Sequence, residues 1–289
     1  MTDIAAIGHN LSETLKKYSA DYIEAHLEES QASHITYRGR ELESVDQTTA
    51  IGGNVRALVK GGWGFVSFNN LDDLSNRVEL AVKQARLVGH EQSSLAQVAP
   101  IVDVLPIETH RNPITIPLTE KKKQLDEYLD IIWYTPQIQT STINYGDSQK
   151  KSVYLNSFGS YIEQARTDTA LHLVVVATKG GEVQQAGFSL GSRGDFSLIQ
   201  GLHQQVAETA QRAVALLSAP QVKGGEYTVV LDPILAGVFV HEAFGHLSES
   251  DFIYENERLR QIMTLGKEFG STELNIIDTA TIPELRGSY

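Results

Sequence analysis

"TAIGGNVRALVKGGWGFVSFNN", residues 49–70, is the stretch on which the fold turns. It reads as two strands hinged at Gly52-Gly53 and at Gly61-Gly62, because paired glycines punctuate strand-like runs. "GGWGFVSF" has neither the G-x-G-x-x-G nor the Walker spacing, so its glycines are assigned to a strand turn rather than a phosphate loop. Upstream, residues 20–47 alternate in a strand-like way with a turn at Arg38-Gly39-Arg40. Downstream, Leu74, Val78, Ala81, Val82, Ala85 and Leu87 recur at helical spacing and predict a helix that stops by Gly89. A short helix over 11–18, capped by Ser12, precedes the strands. Strands and a helix across one face make residues 1–95 an α+β unit.

The same reading divides the rest of the chain. Residues 96–117, with Pro100, Pro106, Pro113 and Pro117, are expected to be a linker. Residues 118–222 form a middle α+β unit. In it, a helix over 118–134 is capped by Thr119, strands are separated by turns at "GD", "GS" and "KGGE", and a helix over 195–219 is capped by Asp195. Leu198, Leu202, Val206, Ala210 and Val214 line one side of that helix. Residues 223–289 start a third unit. "EYTVVLD" and "ELNIIDTATI" are its strand candidates, and Asp232-Pro233 opens an apolar helix expected to be buried. The predicted class is α+β and multi-domain, with mixed or antiparallel sheets, flanking helices and an incomplete β-rich C-terminal domain.

Composition narrows the function. The 289 residues carry a formal charge of −12 and no cysteine. An acidic chain repels phosphate backbones, so direct nucleic-acid binding is not expected. The one dense basic cluster, "TEKKKQ" at 119–124, reads as a solvated helix face. Disulfides within the chain and thiolate ligands are excluded. No run approaches a membrane span and the N-terminus lacks a secretory pattern, so a cytoplasmic location is expected.

The chemistry concentrates in "VFVHEAFGHLSESD", residues 238–251. His241 and His246 lie five apart, not four as in the zinc-peptidase pattern H-E-x-x-H. On an ideal helix, that spacing separates two side chains by roughly 140°. One π-type turn, with about 4.4 residues, cuts the offset to roughly 50° and restores a common face. Gly245 is the residue best able to absorb such a bulge. The imidazoles of His241 and His246 suit Zn2+, and Glu242 suits a general base acting on bound water. A catalytic zinc needs a third protein ligand. Glu249, Asp251 and Glu255 are the nearest oxygen donors, and a ligand beyond Tyr289 is equally consistent with the residues. The bland alternative is a pair of structural histidines in a peptide-binding or assembly partner. His9, His26, His34, His90, His110, His172 and His203 are scattered and read as structural or surface residues. Arg193, in "GFSLGSRG", is an outside candidate for binding a substrate carboxylate.

"HEAFGHLSESD" resembles the H-E-A-x-G-H-x-x-E-x-D signature of the TldD/PmbA family, the modulator-of-DNA-gyrase proteins. "ADYIEAHLE", "ELESV", "GGNVRALVKGGWGFVSFNNLDDL" and "AVKQAR" resemble its first domain, 119–216 its middle domain, and "EYTVVLDPILAGVFVHEAFGH" the start of its third. The resemblance implies a zinc metallopeptidase of the TldD branch, with His241 and His246 as ligands and Glu242 catalytic. It also implies small or unfolded peptides as substrates, and a homodimer or a heterodimer with a PmbA-like paralogue. In that family the third ligand is a cysteine far downstream. This cysteine-free chain is therefore expected to be an N-terminal portion of such a protein, with the third ligand beyond Tyr289.

Overall fold

The computed structural model describes residues 3–90, 95–107, 109, 111–282 and 285–287. His110 lies outside the described residues, as do residues 91–94. By contacts, the chain separates into two compact units, one running through Ala219 and one from Pro220 to Ile282.

The first unit is built on one seven-stranded sheet, ordered β3-β2-β1-β5-β6, whose outer strand β6 carries both β4 and β7. The strands are β1 (Tyr22–Arg38), β2 (Glu41–Val59), β3 (Gly62–Phe68), β4 (Val102–Leu105), β5 (Ile138–Asn156), β6 (Tyr161–Lys179) and β7 (Glu182–Ser192). All pairings are antiparallel except β4, which runs parallel to β6 over Val102–Leu105. The expected linker thus contains an edge strand. It also holds a 3-10 turn, Pro113–Thr115, capped by the Asn112 side chain.

Local corrections each have a physical cause. The first helix, α1, spans Ile4–Leu15, not 11–18, because the Asp3 carboxylate caps it by accepting the Ala6 amide. Ser12 instead bonds back to the His9 carbonyl from within the helix. Gly52-Gly53 is no hinge: β2 runs through it, and a Cβ at Gly53 would stand 2.1 Å from the His26 carbonyl oxygen. The glycines there admit close strand approach. Gly61-Gly62 does turn the chain, with Gly61 at φ +78°. "GD" at 146–147 lies inside β5, whereas "GS" and "KGGE" join hairpins. Helix α2 (Leu74–Val88) ends at Gly89 as predicted, although Leu87 points to solvent. Helix α3 (Leu118–Tyr134) starts after Pro117, which leaves Thr119 inside it rather than capping it. Asp195 caps a short 3-10 turn, Phe196–Ile199, and α4 (His203–Leu216) begins only beyond Gly201, at φ +71°.

Helices cover one face of the sheet in two groups. Ile23, Ala25 and Leu27 of β1 join Val153 and Leu155 of β5 in a core under α1 and α2. Ile35 and Tyr37 of β1 join Ile143 and Tyr145 of β5 in a second core under α3 and α4. All these positions share one parity, so they project from one face. The predicted units 1–95 and 118–222 therefore share a single sheet.

Between the cores the same face turns polar. Ser33, Asp147 and Thr169 stand in one row across β1, β5 and β6, all buried. Lys121 of α3 reaches this row and is itself 1% exposed. Its Nζ donates to Asp147 Oδ2 at 2.6 Å and to Ser33 Oγ at 3.2 Å. Tyr145 OH donates to the same carboxylate oxygen. The expectation of a fully solvated lysine cluster fails at this residue. Helical spacing turns Lys121 inward in line with Leu125 and Tyr128, while Lys122 pairs with Asp126 one turn on.

The second unit, from Pro220 to Ile282, holds α5 (Pro233–Val240), α6 (Ser250–Glu255) and α7 (Glu257–Ile262). Among its described residues there is no strand, so "EYTVVLD" and "ELNIIDTATI" do not form the expected ones. A strand needs a neighbour for its N–H and C=O groups, and none pairs with these segments here. The helix expected to be buried has no buried residue, and Val230 just before it is 97% exposed.

Two outcomes test this packing. Lys121→Ala leaves the Asp147 carboxylate buried without its cation and is expected to destabilise the first unit by about 3–5 kcal/mol in chemical denaturation. Lys121→Met with Asp147→Leu should recover a large part of that loss. Gly64→Ala places a Cβ 1.9 Å from the Ala81 carbonyl oxygen of α2. The helix must then lift off β3, so the melting temperature should fall by an amount matching about 1–3 kcal/mol or more.

Candidate metal centre

The site is made by three different helical periods in succession. Asp232 opens α5, its Oδ1 accepting the Leu235 amide at 2.9 Å, and Pro233 occupies the first turn, where no amide hydrogen is needed. At His241 the helix widens: residues His241–Gly245 form a π turn, and the His246 amide donates to the His241 carbonyl five residues back. Residues His246–Ser248 then tighten into a 3-10 turn.

The wide turn brings the five-spaced histidines together. Their ring centroids lie 4.4 Å apart, inclined at 62°. Ligand atoms of His241, Glu242 and His246 all fall within 4.8 Å of one another. Glu242 Oε2 stands 3.8 Å from His246 Nε2. This is the one such group of three among the described residues. Two imidazole nitrogens suit zinc, and a carboxylate beside them suits a base acting on water at the ion. The three side chains are solvent-exposed.

Gly245 closes the π turn with an ordinary right-handed backbone, φ −55° and ψ −54°. Neither its backbone nor the space around it requires glycine. A Cβ there would stand 3.5 Å from His241 Nδ1, an ordinary van der Waals contact.

The oxygen donors beyond His246 behave differently from one another. Glu249 Oε1 lies 2.5 Å from His246 Nδ1. Asp251 accepts the Phe252 amide at 2.9 Å, and Glu255 ends α6. None of the three belongs to the 4.8 Å group. Glu249, three residues after His246, is a neighbour of it at either helical or 3-10 spacing, and the structure shows which ring nitrogen it meets.

Four of the other histidines have local partners. His9 packs against Tyr161, His26 against Tyr154 and His203 against Tyr128, while His172 Nδ1 meets Ser189 Oγ at 2.8 Å. His203 also pairs with Glu127 at 3.0 Å. Burial holds the His26 imidazole below the usual histidine pKa. His34 projects beside Gly146, from the sheet face opposite the cores. Arg193 sits in the bend after β7, in the first compact unit rather than with His241 and His246.

Known proteins share this plan. Family models described as PmbA/TldA metallopeptidase domain 1, central domain and C-terminal domain match residues 24–86, 111–217 and 224–289. A metalloprotease from Synechocystis is 40% identical over 99% of this chain and 63% of its own length. A metalloprotease from Methanothermobacter thermautotrophicus is 32% identical over 93% of this chain and 59% of its own. A zinc metalloprotease TldD homolog from Saccharolobus solfataricus is 26% identical over 78% of this chain and 49% of its own. The chain thus spans about three fifths of the first two relatives' length or a little more. The fold matches a proposed modulator of DNA gyrase from Bacteroides thetaiotaomicron, with TM-score 0.71 and 18% identity over 88% of this chain and 60% of that one. It also matches TldE from Thermococcus kodakarensis, with TM-score 0.58 and 15% identity over 72% of this chain and 47% of that one. With all three domain models matched in order along its length, this chain belongs to the PmbA/TldA metallopeptidase family.

Proposed function

We propose that the protein carrying this chain is a zinc-dependent peptidase of the TldD type, hydrolysing small or unfolded peptides. The observation that carries this reading is the convergence of His241, Glu242 and His246 within 4.8 Å across a π turn. The zinc name of one relative supports the choice of metal. His241 and His246 would hold the ion through ring nitrogens, and when bound it would polarise the scissile carbonyl and lower the pKa of water.

The chain's own chemistry centres on Glu242. Its Oε2, 3.8 Å from His246 Nε2, faces the ligand nitrogens closely enough to take a proton from a water placed between them. The same oxygen would return that proton to the leaving amine nitrogen as the peptide C–N bond breaks. A third ligand supplied by residues past Tyr289 completes the set in this reading. Peptide substrates, a cytoplasmic setting, and pairing with itself or a PmbA-like paralogue are parts of the same proposal. The described residues contain no helix long and apolar enough to cross a membrane.

Metal analysis and peptide turnover of the intact protein test the assignment. Glu242→Gln should lower peptide cleavage by about 10²–10⁴-fold or more while zinc stays bound at wild-type stoichiometry. Retained turnover in that variant removes Glu242 as the base. His246→Ala should lose the zinc, and a chelator should abolish wild-type cleavage until zinc is restored. Absence of metal from wild type and variant alike would favour a non-catalytic peptide-binding partner.

A further inference from the structure

Resting on the metallopeptidase reading, we propose that Glu249 is a positioning residue for the metal centre: it holds the His246 ring by Nδ1 and leaves Nε2 for the ion. Three observations carry this. Glu249 Oε1 lies 2.5 Å from His246 Nδ1. His246 Nε2, on the opposite side of the same ring, is the nitrogen 3.8 Å from Glu242 Oε2. Glu249 itself stays outside the group whose ligand atoms lie within 4.8 Å of one another.

The backbone explains why this carboxylate arrives there. Residues His246–Ser248 form a 3-10 turn, in which positions three apart eclipse one another. Glu249 follows that turn in an extended conformation, φ −64° and ψ 129°, with its amide directed to the His246 carbonyl at 3.5 Å. The π turn carries His246 to His241, and the 3-10 turn carries Glu249 to the far side of His246. Two departures from α-helical period thus serve the two nitrogens of one ring.

The chemistry follows from which partner donates. An ionised carboxylate only accepts, so the hydrogen of a neutral imidazole facing it sits on Nδ1. That tautomer leaves the Nε2 lone pair free, on the side of Glu242. A carboxylate on the distal ring nitrogen also raises ligand basicity and fixes ring orientation, and loss of such partners costs about 10–100-fold in metal affinity. Glu249 acts through His246 and touches no reacting atom in this role.

The test is zinc affinity of the intact protein, by competition with a chromophoric chelator, together with 15N NMR of His246 in the metal-free protein. Glu249→Ala should weaken zinc binding by about 10–100-fold and shift the His246 ring away from the Nδ1–H tautomer. Glu249→Gln keeps a carbonyl oxygen that accepts the same hydrogen, so it should recover most of the affinity and the tautomer. Asp251→Ala, a neighbouring carboxylate without this contact, should bind zinc as wild type does. Equal affinity and an unchanged tautomer in Glu249→Ala would overturn the positioning role while leaving the metal centre intact. Glu249→Gln losing zinc as completely as His246→Ala would make Glu249 a ligand and overturn it too. A wild-type protein that takes up no zinc would overturn the metallopeptidase reading itself, and this role with it.

Discussion

The first compact unit depends on covering one face of strands too long for a single helical layer. β5 and β6 each run 19 residues, on the order of 60 Å at about 3.3 Å per residue. Two helices side by side span only about 20 Å. The sheet is therefore roofed twice, by α1 with α2 and by α3 with α4, and a seam remains. Backbone pairing carries the strands straight through that seam, so side chains there face a buried position without apolar neighbours on both sides. Ser33, Asp147 and Thr169 occupy it, and Lys121 closes it from α3. Burying an ion pair adds little net stability, but it is strict about geometry: an unpartnered charge in that row is costly. The pair thus fixes where α3 sits along the strands more than it deepens the core.

The metal centre obeys a separate logic. Among the described residues of the second unit no polar side chain is buried, and the arrangement of His241, Glu242 and His246 is local, brought about by the period of the backbone. A five-residue spacing that fails on an α-helix succeeds on a π turn, because the wider turn returns the side chain to the same face. The immediate 3-10 turn then uses the opposite distortion to reach the far side of the same imidazole. Within 233–249, the helix runs through three periods to orient one histidine.

Much of this was legible in the residues. The turns at Gly39 and Gly61-Gly62 and the helix opened by Asp232-Pro233 follow from positive φ, capping and proline geometry, which act within a few residues. The need for a π turn between His241 and His246 was arithmetic on the spacing. The less legible features depend on distant partners. Gly52-Gly53 looks like a hinge in isolation and becomes a place of close approach only when β1 and β3 lie beside it. Lys121 looks like one of three equivalent lysines until Asp147, 26 residues on, is brought beneath it.

By itself, then, the sequence determined the α+β class, most element positions and the identity of the histidine–glutamate group. Those properties reside in composition, periodicity and short spacings, which no distant contact needs to supply. Only the tertiary structure decided that residues 1–95 and 118–222 share one sheet, because strand pairing between β1 and β5 joins segments more than a hundred residues apart. Only it decided that Lys121 is buried and that Glu249 grips the distal nitrogen of His246. Lys121 is turned inward by packing across the first unit, whereas Glu249 meets His246 through the local 3-10 turn, whose choice over a continued α-helix no residue spacing announces.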